Sequence, residues 1–132
     1  MFSLLLIWSG WTIFLGRLIL GIIMIIHGLP KIKNLKGTAE WFNSSGFKPG
    51  IFWGTIVAIL EFFGGIFLIF GFLTQVIALL LAIQFIVILV WKILKHQSFN
   101  AFELDLLILA LVFILLFNGS GELSLDKFFG IF

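Results

Sequence analysis

The chain of 132 residues contains no cysteine and no tyrosine, two prolines, two histidines and few charges, with Asp, Glu, Lys and Arg together at 11%. Each shortage excludes something. Without cysteine the chain supplies no disulfide, iron–sulfur cluster, thiolate zinc site or thiol redox relay of its own, and cysteine usage carries no sign of the redox compartment. Soluble domains average about 25% charged and roughly 45–50% apolar residues, whereas hydrophobic residues here reach 62%. With a mean hydropathy of +1.29, the composition excludes an ordinary soluble domain and makes the lipid bilayer the solvent. The formal net charge of +2 comes from a few loop lysines with no basic stripe, so nucleic acid is excluded as a partner.

What is abundant is long apolar sequence. Four runs, near residues 11–28, 51–70, 74–91 and 102–118, are long enough to cross about 30 Å of hydrocarbon at 1.5 Å per helical residue. The expected fold is all-α, one domain over residues 1–132, an integral membrane four-helix bundle. The first run lacks a basic leader and a small-x-small cleavage site and carries Arg17 in its middle, so it reads as a span rather than a cleaved signal peptide.

Between the first two spans, Ile32, Leu35, Ala39 and Phe42 fall near one helical face beside Lys31, Lys33 and Lys36. That pattern predicts a short amphipathic helix at the interface, stopped by Ser44-Ser45-Gly46; an ordinary polar loop is the alternative. The short link around Gly71–Leu73 makes spans two and three antiparallel neighbours. Asn100 followed by Glu103 has the form of a capping box, starting the last span near Ala101. After Gly119-Ser120-Gly121, a tail over residues 124–132 carries Leu125, Phe128, Phe129 and Phe132 at helical spacing and reads as interfacial.

Lys31, Lys33, Lys36, Lys48, Lys92 and Lys95 fall on one side of the bundle and Lys127 on the other. The positive-inside rule puts the first set in the cytoplasm and both termini outside. All five tryptophans lie near span ends, as in an aromatic belt.

Two charges fall inside spans. Counted from the shared end, Arg17 is eleven residues from Gly28 and Glu61 ten from Ile51, a depth of roughly 15–16 Å for both. An isolated charge there costs about 2.5–3.5 kcal/mol on insertion scales. Gly21 and Gly28 follow Arg17 on its face, and Gly54, Ala58 and Gly65 share the face of Glu61, so close backbones favour an Arg17–Glu61 pair. Such a pair either fixes helix register or marks a functional polar chamber.

Nearer the lysine-rich end, His27, Gln84, Glu103 and Asp105 lie in the same half of the membrane and read as a vestibule leading to Glu61. Asp105 is about 200° around the helix from Glu103; Glu103, on the face of Ala110 and Phe117, is taken as the cavity residue. Asp105 is read as a carboxylate favoured by the helix dipole. No paired histidines, metal motif or phosphate-cradling glycines occur, so no metal or haem site is expected.

Taken in order, Gly16-Arg17, His27-Gly28 to Lys31, Glu61-Phe62-Phe63-Gly64-Gly65 with Gly71 and Thr74, Glu103, and Gly119-Ser120-Gly121 with Leu123-Ser124-Leu125-Asp126 resemble the DoxX family of small four-helix membrane proteins. The resemblance spans about residues 15–129. It implies a bacterial or archaeal inner-membrane protein associated with quinone-linked oxidoreductase systems. The family's recurrent polar positions fall on Arg17, Lys31, Glu61, Glu103 and Asp126.

The expectation is therefore a subunit of a quinone-linked respiratory or redox complex. Glu61, Arg17 and Glu103 are its candidate catalytic residues, and His27 and Gln84 its candidate quinone-binding residues. Its expected partners are the bilayer, a redox protein and further copies of itself. A small proton-coupled transporter or channel, or a scaffold that recruits a soluble redox enzyme through its lysine-rich loop, are the alternatives.

Overall fold

The computed structural model describes residues 8–131. They form six helices: α1 (Ser9–Lys33), α2 (Leu35–Ser44), α3 (Gly50–Phe70), α4 (Thr74–Leu94), α5 (Phe99–Asn118) and α6 (Leu125–Phe129). Helices α1, α3, α4 and α5 are long and apolar enough to cross a membrane. They interlock through Leu20 and Met24 of α1, Leu68 of α3, Leu81 and Phe85 of α4, and Val112 and Leu115 of α5. The outward faces stay apolar: Leu15, Ile19, Ile22 and Ile26 of α1 are all exposed. In lipid that exposure carries no penalty, so close packing between helices holds the bundle together.

Glycine makes the closest seam. A Cβ on Gly21 would sit 2.6 Å from the carbonyl oxygen of Gly65, and one on Gly65 would sit equally close to that of Gly21. Gly28 packs on the backbone of Glu61 and Phe62. The two helices touch backbone to backbone along the small-residue faces read from the sequence.

Helix α1 runs past Gly28 and past Pro30 to Lys33. Pro30 removes one N–H from the helical ladder, yet Asn34 N still reaches its carbonyl at 3.1 Å. The break comes at Asn34 (φ −138°, ψ 70°), whose side chain accepts from Gly37 N and starts α2. The expected amphipathic helix is present and stops before Ser45-Gly46, where Gly46 has φ +97°. Its Ala39 and Phe42 are buried, and Gly50 packs against the Ala39 carbonyl with no space for a Cβ. So α2 continues the path of α1 alongside the first half of α3.

The last span begins earlier than expected. Helix α5 starts at Phe99 with Ser98 as N-cap and no side-chain capping bond, so Asn100 and Glu103 form no capping box. The tail folds into α6, capped by Ser124 Oγ accepting from Lys127 N; Phe132 of the expected interfacial face lies outside the described residues.

Candidate functional site

The intramembrane polar groups form two clusters at opposite ends of the bundle. The first surrounds Arg17, which is fully buried. Its Nε donates to Ser120 O at 3.0 Å, Nη1 to Leu68 O at 2.9 Å and Ile69 O at 3.2 Å, and Nη2 to Leu123 O. Leu68 and Ile69 belong to the last turn of α3, where carbonyls lack intrahelical partners and carry partial negative charge. Arg17 thus closes the C-terminal end of α3.

Asp126, also buried, does the reverse for α4. Its Oδ1 accepts from Leu73 N at 2.6 Å and its Oδ2 from Thr74 N at 2.9 Å, which satisfies the free donors of a helix start. Asp126 N donates to Gly71 O at 2.9 Å. Gly71 has φ +69°, and a Cβ there would lie 2.6 Å from Arg17 Nη1, so conformation and space both demand glycine. One cation and one carboxylate fasten the C-terminal segment over the α3–α4 link.

The second cluster surrounds Glu61, 2% exposed. Its Oε2 accepts from Lys31 Nζ at 2.5 Å and its Oε1 from Gln84 Nε2 at 2.8 Å. Both carboxylate oxygens are acceptors, so Gln84 turns its amide nitrogen toward them. Gln84 Oε1 is left buried without a hydrogen-bond partner among the described residues. The expected Arg17–Glu61 pair does not form.

Register explains the correction. Gly21 lies against Gly65 and Gly28 against Glu61, so Arg17 is level with the end of α3. It stands two to three turns from Glu61, on the order of 11–16 Å. The depth count assumed that Gly28 and Ile51 mark one level, whereas α1 continues to Lys33 and α2 extends its path. The resident cation at Glu61 is Lys31, a member of the α1 helix and not of a loop. The stripe Gly21, Gly28 and on by one helical turn to Lys31 held that information. Pro30 obscured it by reading as a stop, although membrane helices tolerate proline.

Lys31, Glu61 and Gln84 border a cavity of about 1210 Å³ between the α1–α3 and α4–α5 pairs. His27 lines it as well, so both candidate quinone-binding residues reach it. Glu103 does not. It is exposed on the face it shares with Ala110 and Phe117, and that face is exposed throughout. Asp105 lines the cavity instead and pairs with Lys92 at 2.5 Å, while Lys92 also donates to Ala101 O at 2.8 Å. Since the two acids point about 200° apart, only one could face inward, and Lys92 on α4 selects Asp105.

At the lysine-rich end, aromatic rings line the cavity. Trp41 of α2 meets Trp91 of α4 edge-on at 5.8 Å, Phe47 lies 6.2 Å from Trp91, and Trp91 Nε1 donates to Ser45 O at 3.2 Å. The arrangement combines a buried carboxylate held by a lysine and an amide, an apolar chamber, and a second ion pair at its rim.

Comparison with known proteins gives three findings. The DoxX family model matches residues 12–93, a stretch that includes Arg17, Lys31, Glu61 and Gln84. The chain is 34% identical over 112 residues to "Putative oxidoreductase CatD" of Bacillus subtilis (strain 168), covering 85% of this chain and 82% of that protein. It is 32% identical over 121 residues to "Inner membrane protein YqjF" of Escherichia coli (strain K12), covering 87% and 89% respectively. No solved structure gives a significant match.

Proposed function

Since the chain belongs to the DoxX family, we propose that it is a membrane subunit of a quinone-linked redox complex, with the headgroup seated against Lys31, Glu61 and Gln84. The observation that carries this reading is a buried carboxylate, ion-paired and hydrogen-bonded, on the wall of a large apolar cavity. Intramembrane carboxylates with named partners are the usual proton-handling groups of membrane proteins. The residues fit the group in three ways: polar side chains gather at one place, apolar and aromatic ones line the rest, and the volume exceeds the roughly 300–1,000 Å³ of ordinary ligand pockets.

A quinone bound there supplies two-electron, two-proton chemistry. In this reading Lys31 and Gln84 hold the Glu61 carboxyl oriented at rest, and Glu61 takes a proton from a ligand oxygen or returns it. Trp41, Phe47 and Trp91 keep bulk water from the headgroup. His27 is a further polar wall group for a ring substituent, and a partner redox protein exchanges the electrons. Arg17 holds the fold at the far end and touches no ligand, and Glu103, outside the cavity, has no part in the chemistry.

We take the membrane to be the cytoplasmic membrane of a bacterium or archaeon, with the lysine-rich end in the cytoplasm and both termini outside. The "inner membrane" in the name of one relative and the lysine asymmetry support this. Because the chain has no cysteine, single cysteines introduced at Lys48 and Glu122 report sidedness directly. Impermeant maleimide on intact cells should label the Glu122 site and not the Lys48 site; the opposite labelling rejects the orientation.

Quinone binding is read from quenching of the cavity tryptophans by a short-chain benzoquinone added to purified protein. Saturable quenching that Glu61→Gln weakens at least tenfold is expected. Non-saturable quenching, equal in both proteins, rejects the reading. In membranes containing the partner enzyme, Glu61→Gln should abolish quinone-linked turnover while the chain still inserts.

A further inference from the structure

Helices α3 and α4 are joined by the shortest link between two spans, yet the cavity opens between them. They touch next to the link, where a Cβ on Gly64 would lie 3.2 Å from Ile77. Farther from the link both helices border the cavity, and the Glu61–Gln84 hydrogen bond of 2.8 Å bridges them across this fork. The gap around this bond belongs to the cavity. Its two sides are Ile56 and Ile59 of α3 and Leu80, Ile83 and Val87 of α4.

Those five side chains are cavity lining and outer surface at once. Ile56, Ile59, Leu80, Ile83 and Val87 are 42, 49, 44, 55 and 46% exposed. No charged or hydrogen-bonding side chain stands among them. On a helix pair read as spanning a membrane, the gap opens sideways into hydrocarbon, and water gains nothing by entering it.

We infer that the α3–α4 fork is a lateral portal: the ligand of the Glu61 site is a lipophilic amphiphile that enters from the bilayer and leaves its hydrocarbon tail lying in the fork. This rests on the proposed quinone site and specifies its ligand class, a tailed quinone carried in the lipid rather than a small quinone arriving from water. The polar end supplies the anchor. Gln84 Oε1, buried without a partner among the described residues, becomes an acceptor for a ligand hydroxyl when the amide swings toward the cavity that Gln84 lines, and Glu61 beside it is held in place by Lys31. The volume agrees, since about 1210 Å³ is more than one ring needs and leaves room for the first part of a chain. Lipid is as apolar as the fork, so the tail brings little affinity of its own; the portal acts by admitting tailed ligands, and filling it should exclude them.

The test fills the fork with Ile59→Phe and Ile83→Phe together and compares a tailless benzoquinone with its decyl-tailed counterpart, both in nanodiscs. The added rings occupy the space of the tail, so affinity for the tailed ligand should fall roughly tenfold while the tailless ligand stays within about twofold. Unchanged binding of the tailed ligand, or an equal loss of both, overturns the portal. A second measurement is independent of any quinone. Lipids brominated along the acyl chain should quench the cavity tryptophans of the wild type, and the double variant should lose that part of the quenching. No difference between the two proteins overturns the portal whatever binds. A wild type that binds neither quinone but shows the lipid quenching overturns the quinone reading and leaves the portal standing.

Discussion

The two ends of the bundle use the same chemical means to opposite ends. At the link end, Arg17 donates only to backbone carbonyls and Asp126 accepts only from backbone N–H groups. Every partner is fixed by the fold and no room is left. At the lysine-rich end, Glu61 is held by two side chains, Lys31 and Gln84, which can move, and a cavity lies beside them. A buried charge satisfied by backbone locks a structure; one satisfied by side chains next to a cavity is free to exchange its partner. The difference separates a structural fastening from a site.

The sharpest break of that comparison is Arg17→Met. It leaves four carbonyls without their donor and Asp126 without its nearby cation, and breaking a buried charged network by removing one member costs about 3–5 kcal/mol. Unfolding in mixed micelles should show that loss, and Asp126→Asn a smaller one of about 1–3 kcal/mol for impaired hydrogen bonds to Leu73 and Thr74. Next comes Gly65→Val. Its added carbons would run into the Gly21 carbonyl, with an expected cost of about 1–3 kcal/mol and a parted α1–α3 seam.

At the other end the expected order of effects reverses. Glu61→Gln keeps an acceptor for Lys31 and a partner for Gln84, so stability should change by less than about 1.5 kcal/mol, yet quinone binding should weaken at least tenfold. A variant that unfolds as readily as Arg17→Met would make Glu61 another fastening. The smallest effects separate the two acids of α5. Asp105→Asn breaks the pair with Lys92 at the rim and should cost up to about 1 kcal/mol of stability, whereas Glu103→Gln should leave both folding and turnover within error.

How far these two ends could be read in advance follows from their physics. Hydrophobic length alone reveals the four spans, because nothing else crosses hydrocarbon as a helix. Gly21, Gly28, Gly54 and Gly65 announce the packing faces, because only small residues let backbones approach so closely. The register between helices is a different matter. It depends on where α1 ends, and Pro30 hid the turn that carries Lys31 and with it the partner of Glu61. Arg17 was misassigned for a related reason: its partners are backbone carbonyls, which every residue has and no sequence pattern marks. Glu103 against Asp105 turned on the rotation of α5, fixed by Lys92 on α4 and by no feature of α5 itself.

The identity of the cation at Glu61 is the point on which the whole account turns, and a pair of double-mutant cycles measures it. Stability in mixed micelles is determined for Lys31→Met, Arg17→Met and Glu61→Gln, singly and in the combinations Lys31 with Glu61 and Arg17 with Glu61. Contacting residues couple by about 0.5–3 kcal/mol, and distant ones add within about 0.3–0.5 kcal/mol. The account predicts coupling above about 1 kcal/mol for Lys31–Glu61 and additivity for Arg17–Glu61; strong coupling of Arg17 to Glu61, with Lys31 additive, would contradict it.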